Sequence, residues 1–293
     1  MSRLVFPAII ISLVILANIE LKAQASDTNS QSVSIAAEQI NTSNYTLIWS
    51  DECSIDGSID TSKWFQQTKL PTRKSWHNNE IQHYTDQIEN SFNDSGYMHI
   101  VARKETYMDQ GVTKEYTSAR LNSKFAFTYG KVEVRAQMPN GEGTWPAIWM
   151  LGSDHKSKGS YWYGRVKGTK RWPDCGEIDI MEHWGTNQDY VSSAIHTPSS
   201  YGRTQNKGGR DVQNVSTEFH IYALEWTPKK LVFSIDDTIH YTYNPEIKNE
   251  KTWPFDKDLY ILLNVAILPS ISEDFTESPM IIDYVRVYQK KQN

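Results

Sequence analysis

The densest run of potential chemistry is Gly176-Glu177-Ile178-Asp179-Ile180-Met181-Glu182-His183-Trp184. Ile178 and Ile180 alternate with Glu177 and Asp179, which predicts a strand with one apolar face and one carboxylate face. Like charges two residues apart on a face repel, and each raises its neighbour's pKa. Glu182 stands five positions after Glu177. That odd spacing puts it on the opposite face of a regular strand. A single-residue bulge near Ile180–Met181 returns it to the carboxylate face, and bulges cluster beside active sites. The two Glu Cα atoms then lie about 13 Å apart, four strand steps of roughly 3.3 Å. Side chains leaning inward on a curved sheet bring the carboxyls to about 5–6 Å. A retaining glycosidase uses that separation, whereas an inverting one keeps about 6.5–9.5 Å to admit a water. From spacing alone a solvated acidic strand and a cation site stay open.

The elements that must position this row read as strands almost everywhere. In Lys131–Met138, Val132, Val134, Ala136 and Met138 alternate with Lys131, Glu133, Arg135 and Gln137. Tyr222–Trp226, Leu231–Ile235, Ile239–Tyr243 and Asp283–Tyr288 are further strands, separated by turn signals such as Pro139-Asn140-Gly141 and Asp236-Asp237. No amphipathic helix of twelve residues stands out. Many short strands with regular turns predict an all-β sandwich or barrel.

Composition narrows the class. The 293 residues carry 30 basic and 35 acidic side chains, net charge −5, which argues against a nucleic-acid partner. Two cysteines exclude a disulfide-dense scaffold and a four-thiolate zinc site. No strand–GxxxxGK–helix or GxSxG pattern supports a nucleotide or serine hydrolase. Ten Trp and sixteen Tyr are a rich supply of flat faces, for a core or for a ligand.

Arg3, the apolar run Leu4–Ala17 and Ala23-Gln24-Ala25 form the three parts of a cleaved signal peptide over residues 1–25. Residues 26–44, rich in Ser, Asn, Thr and Gln, read as a disordered arm. One domain, 45–293, follows. The expected location is secreted or periplasmic, with no membrane association after cleavage.

Several blocks carry a family resemblance. Glu-Ile-Asp-Ile-Met-Glu resembles the bulged E-x-D-x-x-E signature of glycoside hydrolase family 16. Tyr116-Thr-Ser-Ala-Arg120, Tyr129-Gly-Lys-Val-Glu-Val-Arg135, Gly143-Thr-Trp-Pro-Ala-Ile-Trp-Met-Leu151, Trp253-Pro-Phe-Asp256 and Asp283-Tyr-Val-Arg-Val-Tyr288 resemble other family blocks in the family's order. The resemblance covers about residues 45 to 290. It implies a β-jelly-roll of two antiparallel sheets with a concave glycan cleft, and a retaining double displacement. Glu177 matches the nucleophile, Glu182 the general acid/base and Asp179 the assisting carboxylate.

The resemblance reaches further residues. Trp145, Trp149 and Trp172 look like subsite linings, on a stretch leading away from a strand in the case of the first two. Trp49 and Trp226 read as core, and Trp162 and Trp184 stay open. Trp76-His-Asn-Asn-Glu-Ile-Gln-His-Tyr-Thr85 resembles the family's W-x-N-x-E-x-Q-x-Y-T block, with Asn79 and Glu80 expected as sugar-hydroxyl contacts or as a satisfied loop network. His196, on the next expected strand, is a positive-subsite contact or a core histidine. The contexts look most like laminarinases, which cut β-1,3-glucan. An agarase-like or other β-galactanase and a noncatalytic glucan binder are the alternatives. No cofactor is expected for the chemistry. A structural Ca2+ is implied at Glu52 and Gly96 through backbone carbonyls and at Asp283 through its carboxylate. Ile267-Leu-Pro-Ser-Ile271 replaces a family glycine pair, and Cys53 stands where Phe is usual. A Cys53–Cys175 disulfide is chemically allowed after export. A monomer acting on a polysaccharide is expected.

Overall fold

In the computed structural model the described residues are 44–166 and 169–291. The expected signal segment 1–25, and all but the last residue of the arm 26–44, lie outside them. No α-helix occurs among the described residues. The strands form two sheets, an all-β jelly-roll, antiparallel except for the short parallel pair of His83–Tyr84 with Val112–Ser118.

The seven-stranded sheet carries the site. Its order is Lys207–Asp211, Tyr190–His196, Glu177–His183, Thr144–Gly152, Leu259–Ile267, Arg120–Phe127 and Trp64–Gln66. The larger sheet is built around Gly130–Gln137, Glu277–Lys290 and Tyr97–Asp109. Period two decides which side chains meet between the sheets. Val132, Val134 and Ala136 of the larger sheet share one core with Ile148, Met150, Ile178 and Ile180 of the smaller. Fully burying each Val or Ile there contributes about 1.5–3 kcal/mol. The other face of the smaller sheet is the cleft. Leu259, Ile261, Leu263 and Val265 point into the core, while Asn264 and Ala266 of the same strand line the cleft.

Trp145 and Trp149 lie within the strand Thr144–Gly152, not on a stretch leading away from one. Pro146 does not break it, because the ladder to Glu177–His183 begins only at Ala147. The missing N–H falls beyond the end of that ladder, where a proline is tolerated. Cys53 and Cys175 are buried free thiols in separate clusters. They do not form the disulfide that chemistry would have allowed.

Candidate active site

The strand Glu177–His183 is bulged where the odd spacing requires it. Against Thr144–Gly152, Met181 faces Ile148 and Asp179 faces Trp149, so Ile180 has no partner. Against Tyr190–His196, the register likewise shifts between Asp179 and Glu182. Ile178, Ile180 and Met181 are buried in the core, and Glu177, Asp179 and Glu182 all reach a cleft of about 480 Å3. Gly176, just before the strand, has φ +72°. A Cβ there would meet the Phe255 ring at 2.9 Å, so this position favours glycine twice over.

Each outer carboxylate of the row accepts an indole N–H. Trp172 Nε1 donates to Glu177 Oε2 at 3.0 Å. Trp145 Nε1 donates to Glu182 Oε1 at 3.2 Å. Asp179 is only 4% exposed, and its Oδ2 has no aligned hydrogen bond. His196 stands opposite Glu177 in register. Its Nε2 is 3.2 Å from Asp179 Oδ2 and 3.7 Å from Glu177 Oε1. The ring is buried beneath the row against Trp172, outside the open lining of the cleft.

Burial dominates the electrostatics. It pushes the Glu182 carboxyl up to about 8, helped by the charge of Asp179 and opposed by His196 and the Trp145 bond. Burial also raises Glu177 and Asp179, which face each other as like charges. Among the described residues no Lys or Arg pairs with any of the three. A row kept this dry, without a cation in contact, holds protons near neutrality that exposed carboxyls would have lost.

The tryptophans differ in their availability. Trp172 is 38% exposed. Trp145 stacks on Trp184 at 5.8 Å, which moves Trp184 from undecided to support of the site. Trp149 donates to Asn264 Oδ1 at 2.8 Å, and the Arg120 guanidinium covers one of its faces at 4.6 Å. Trp226 is core, Trp49 is partly buried against that core, and Trp162 packs on the small second cluster. Glu80 lines the cleft yet is also a satisfied network residue, accepting from Gln82 Nε2 and Tyr84 Oη, both at 2.9 Å.

Asn79 is exposed, and Asn78 takes its expected place at the cleft wall. Both residues are left-handed, with φ 57° and 62°, and this turn carries Asn79 outward. The spacing of the W-x-N-x-E block in fact falls on Asn78. Arg120, Trp76 and Asn264 are cleft residues to which the sequence reading gave no role. Asn264 left a signal, as a lone amide in the apolar strand Leu259–Ile267.

Strand register places the residues expected as calcium ligands near one end of the larger sheet. Asp51 faces Val285 and Met98 faces Ile282, which brings Glu52 and the Gly96 turn towards Asp283. Asp283 is itself the bulged residue of its strand. Its Oδ2 is held by Arg135 at 2.6 Å, while Oδ1 stands outside that pair. The Glu52 carboxylate is forked to Arg286, so only the carbonyl of Glu52 is available. The donors that the resemblance implies, one carboxylate oxygen and two carbonyls, are all oxygens, the type a hard cation takes.

A two-sheet β-sandwich with an acidic row and tryptophans in one cleft defines a glycan-cleaving class of protein. The family is specific: the model for glycosyl hydrolases family 16 matches residues 75–286, and the chain belongs to that family. A LamA variant from Z. galactanivorans, solved in complex with laminaritriose and laminaritetraose, superposes with a TM-score of 0.78 at 44% identity, covering 83% of this chain and 99% of the other. The laminarinase from Rhodothermus marinus superposes with a TM-score of 0.73 at 38% identity, covering 85% and 98%. A "Beta-glucanase" of the same organism is 38% identical over 260 residues, 83% of this chain and 85% of the relative.

Proposed function

We propose that the protein is an exported, retaining endo-β-1,3-glucanase. The observation that carries the reading is the bulged row with an indole N–H on each outer carboxylate. The β-1,3-glucan substrate is taken from the laminarinase relatives.

Glu177 attacks the anomeric carbon through Oε1, because Trp172 holds Oε2. The bond to the leaving oxygen breaks as protonated Glu182 gives that oxygen its proton. General acid help of this kind is worth about 10²–10⁴-fold. Glu182, now a carboxylate, takes a proton from water, which attacks the glycosyl-enzyme and frees Glu177. Two inversions retain the anomeric configuration. Trp172 favours ionised Glu177, and Asp179 Oδ2 lacks an aligned donor. The proton shared by that pair therefore rests on Asp179.

Residues 1–25 direct export, and 45–293 act as a monomeric domain on the polysaccharide. A structural Ca2+ at Glu52, Gly96 and Asp283 supports the sheet far from the chemistry. The deciding experiment measures reducing sugar released from laminarin by wild type and by Glu177→Gln, with lichenan and agarose in parallel and proton NMR of the first product anomer. Cleavage of laminarin by wild type alone, with β-anomer first, is expected. Glucan binding with equal silence from both proteins would leave a binder, and cleavage of agarose alone would leave a galactanase.

A further inference from the structure

We propose that Glu177 Oε1, Asp179 Oδ2 and His196 Nε2 form an inhibitory site for a borderline first-row divalent cation of the Zn2+ type. The proposal rests on the reading of Glu177 as nucleophile only for its inhibitory consequence, not for binding.

The three atoms lie within 4.8 Å of one another. His196 Nε2 is 3.2 Å from Asp179 Oδ2 and 3.7 Å from Glu177 Oε1. Tetrahedral ligands about 2.0–2.1 Å from zinc stand about 3.3–3.4 Å apart, so small rotations of these side chains complete the set. A second observation points to a ligand. Asp179 is 4% exposed, and its Oδ2, turned into the cluster, has no aligned hydrogen bond. No Lys or Arg among the described residues neutralises the two carboxylates. A divalent cation would displace the proton held on Asp179 and offset the charge of both carboxylates.

The donor types select the metal. The imidazole favours zinc, copper, iron or nickel, and zinc also accepts carboxylate oxygens. Calcium wants six to eight oxygens, and magnesium gives up its waters reluctantly. His196 Nδ1 is buried without a hydrogen-bond partner, so the ring lacks the outer contact that orients the histidines of dedicated metal sites. That deficit makes the site a reversible inhibitor site, not the seat of a resident cofactor. Inhibition follows from the atoms used. Trp172 occupies Glu177 Oε2, and the metal would take the lone pair of Oε1, the oxygen left to attack.

The test is calorimetric titration of chelator-treated full-length protein with ZnCl2, with MgCl2 as the control metal. One zinc site is expected. Affinity should fall about 10-fold or more in His196→Ala and in Asp179→Asn, a loss of the size seen when metal-site residues are disturbed. Excess laminari-oligosaccharide should weaken zinc binding to wild type, which needs no variant to fold. Zinc binding that ignores both substitutions and the oligosaccharide would overturn the site. Zinc bound as expected by a protein silent on laminarin would remove the glucanase reading and leave the metal site standing.

Discussion

Trp172 Nε1 donates to Glu177 Oε2 at 3.0 Å, so a side chain expected as a sugar platform also sets the charge of the proposed nucleophile. A donor aimed at a carboxylate stabilises its ionised form and lowers its pKa. Trp172→Phe keeps an aromatic face and deletes the donor. A bond to a charged group is worth about 1.5–3 kcal/mol, so the acid limb of kcat/KM should move up by about one to two pH units. A weaker KM with an unmoved limb would assign Trp172 to stacking alone.

Trp145→Phe acts on the other limb. Its N–H bond to Glu182 Oε1 also favours the carboxylate, but Glu182, as the proposed general acid, must begin each cycle protonated. Losing the donor raises Glu182 further, so the alkaline limb should extend upward while the acid limb stays. The same substitution leaves a ring for Trp184 to stack on, which keeps the wall in place. Paired pH profiles of the two variants check the assignment, since exchanged limbs would exchange the roles of Glu177 and Glu182.

The raised carboxyls also load stability with a pH dependence. Glu182 is pushed from the ordinary 4.5 up to about 8 by burial and by Asp179. The folded state therefore binds more protons than the unfolded one between those values, and the contribution present below pH 4.5 is lost as pH rises through about 8. Glu182→Gln removes the ionisation. We expect it to be about 1–3 kcal/mol more stable than wild type at pH 8 and equal to it near pH 4, by urea unfolding. An advantage independent of pH would trace it to packing.

Much of this site was legible because charge and period interact. Glu177 and Asp179 fit an alternating strand, and Glu182 misfits it by one residue, so the misfit itself marks the bulge. Trp145 and Trp149 were harder. Pro146 between them argues against a strand, and only the staggered ladder ends excuse it. Asn78, not Asn79, is the residue the W-x-N-x-E spacing marks, and two left-handed residues in succession set the turn that keeps them apart. Arg120 was invisible for a third reason. Its partners, Trp149 and Trp76, are remote in sequence, and only sheet closure brings them under its guanidinium.

The cation site we propose on the larger sheet gives a separate prediction. A cation that binds only the folded state stabilises it by about 2.7 kcal/mol at a hundredfold excess over Kd. Calcium added to chelator-treated protein should raise Tm and leave kcat unchanged, because the site is remote from the cleft. Asp283→Ala should abolish the rise. A Tm insensitive to calcium in wild type would remove the ion from this protein and leave Arg135 as the partner of Asp283.

Removing Ile180 tests the bulge itself. In a regular strand the shortened run Glu177-Ile178-Asp179-Met181-Glu182 alternates without a misfit, and all three acids share one face. Met181, already buried, takes the inward place of Ile180. The core loses one aliphatic side chain, a cost of about 2–5 kcal/mol. We expect a folded, less stable protein that still hydrolyses glucan. Inserting Ala after Ile178 has the opposite effect, because it turns Asp179 towards the core. A buried unpaired carboxylate there should abolish both folding and activity. Thermal unfolding and sugar release measured on both variants separate register from composition. A deletion variant that folds but stays silent would mean that the bulge sets the aim of Glu182, beyond choosing its face.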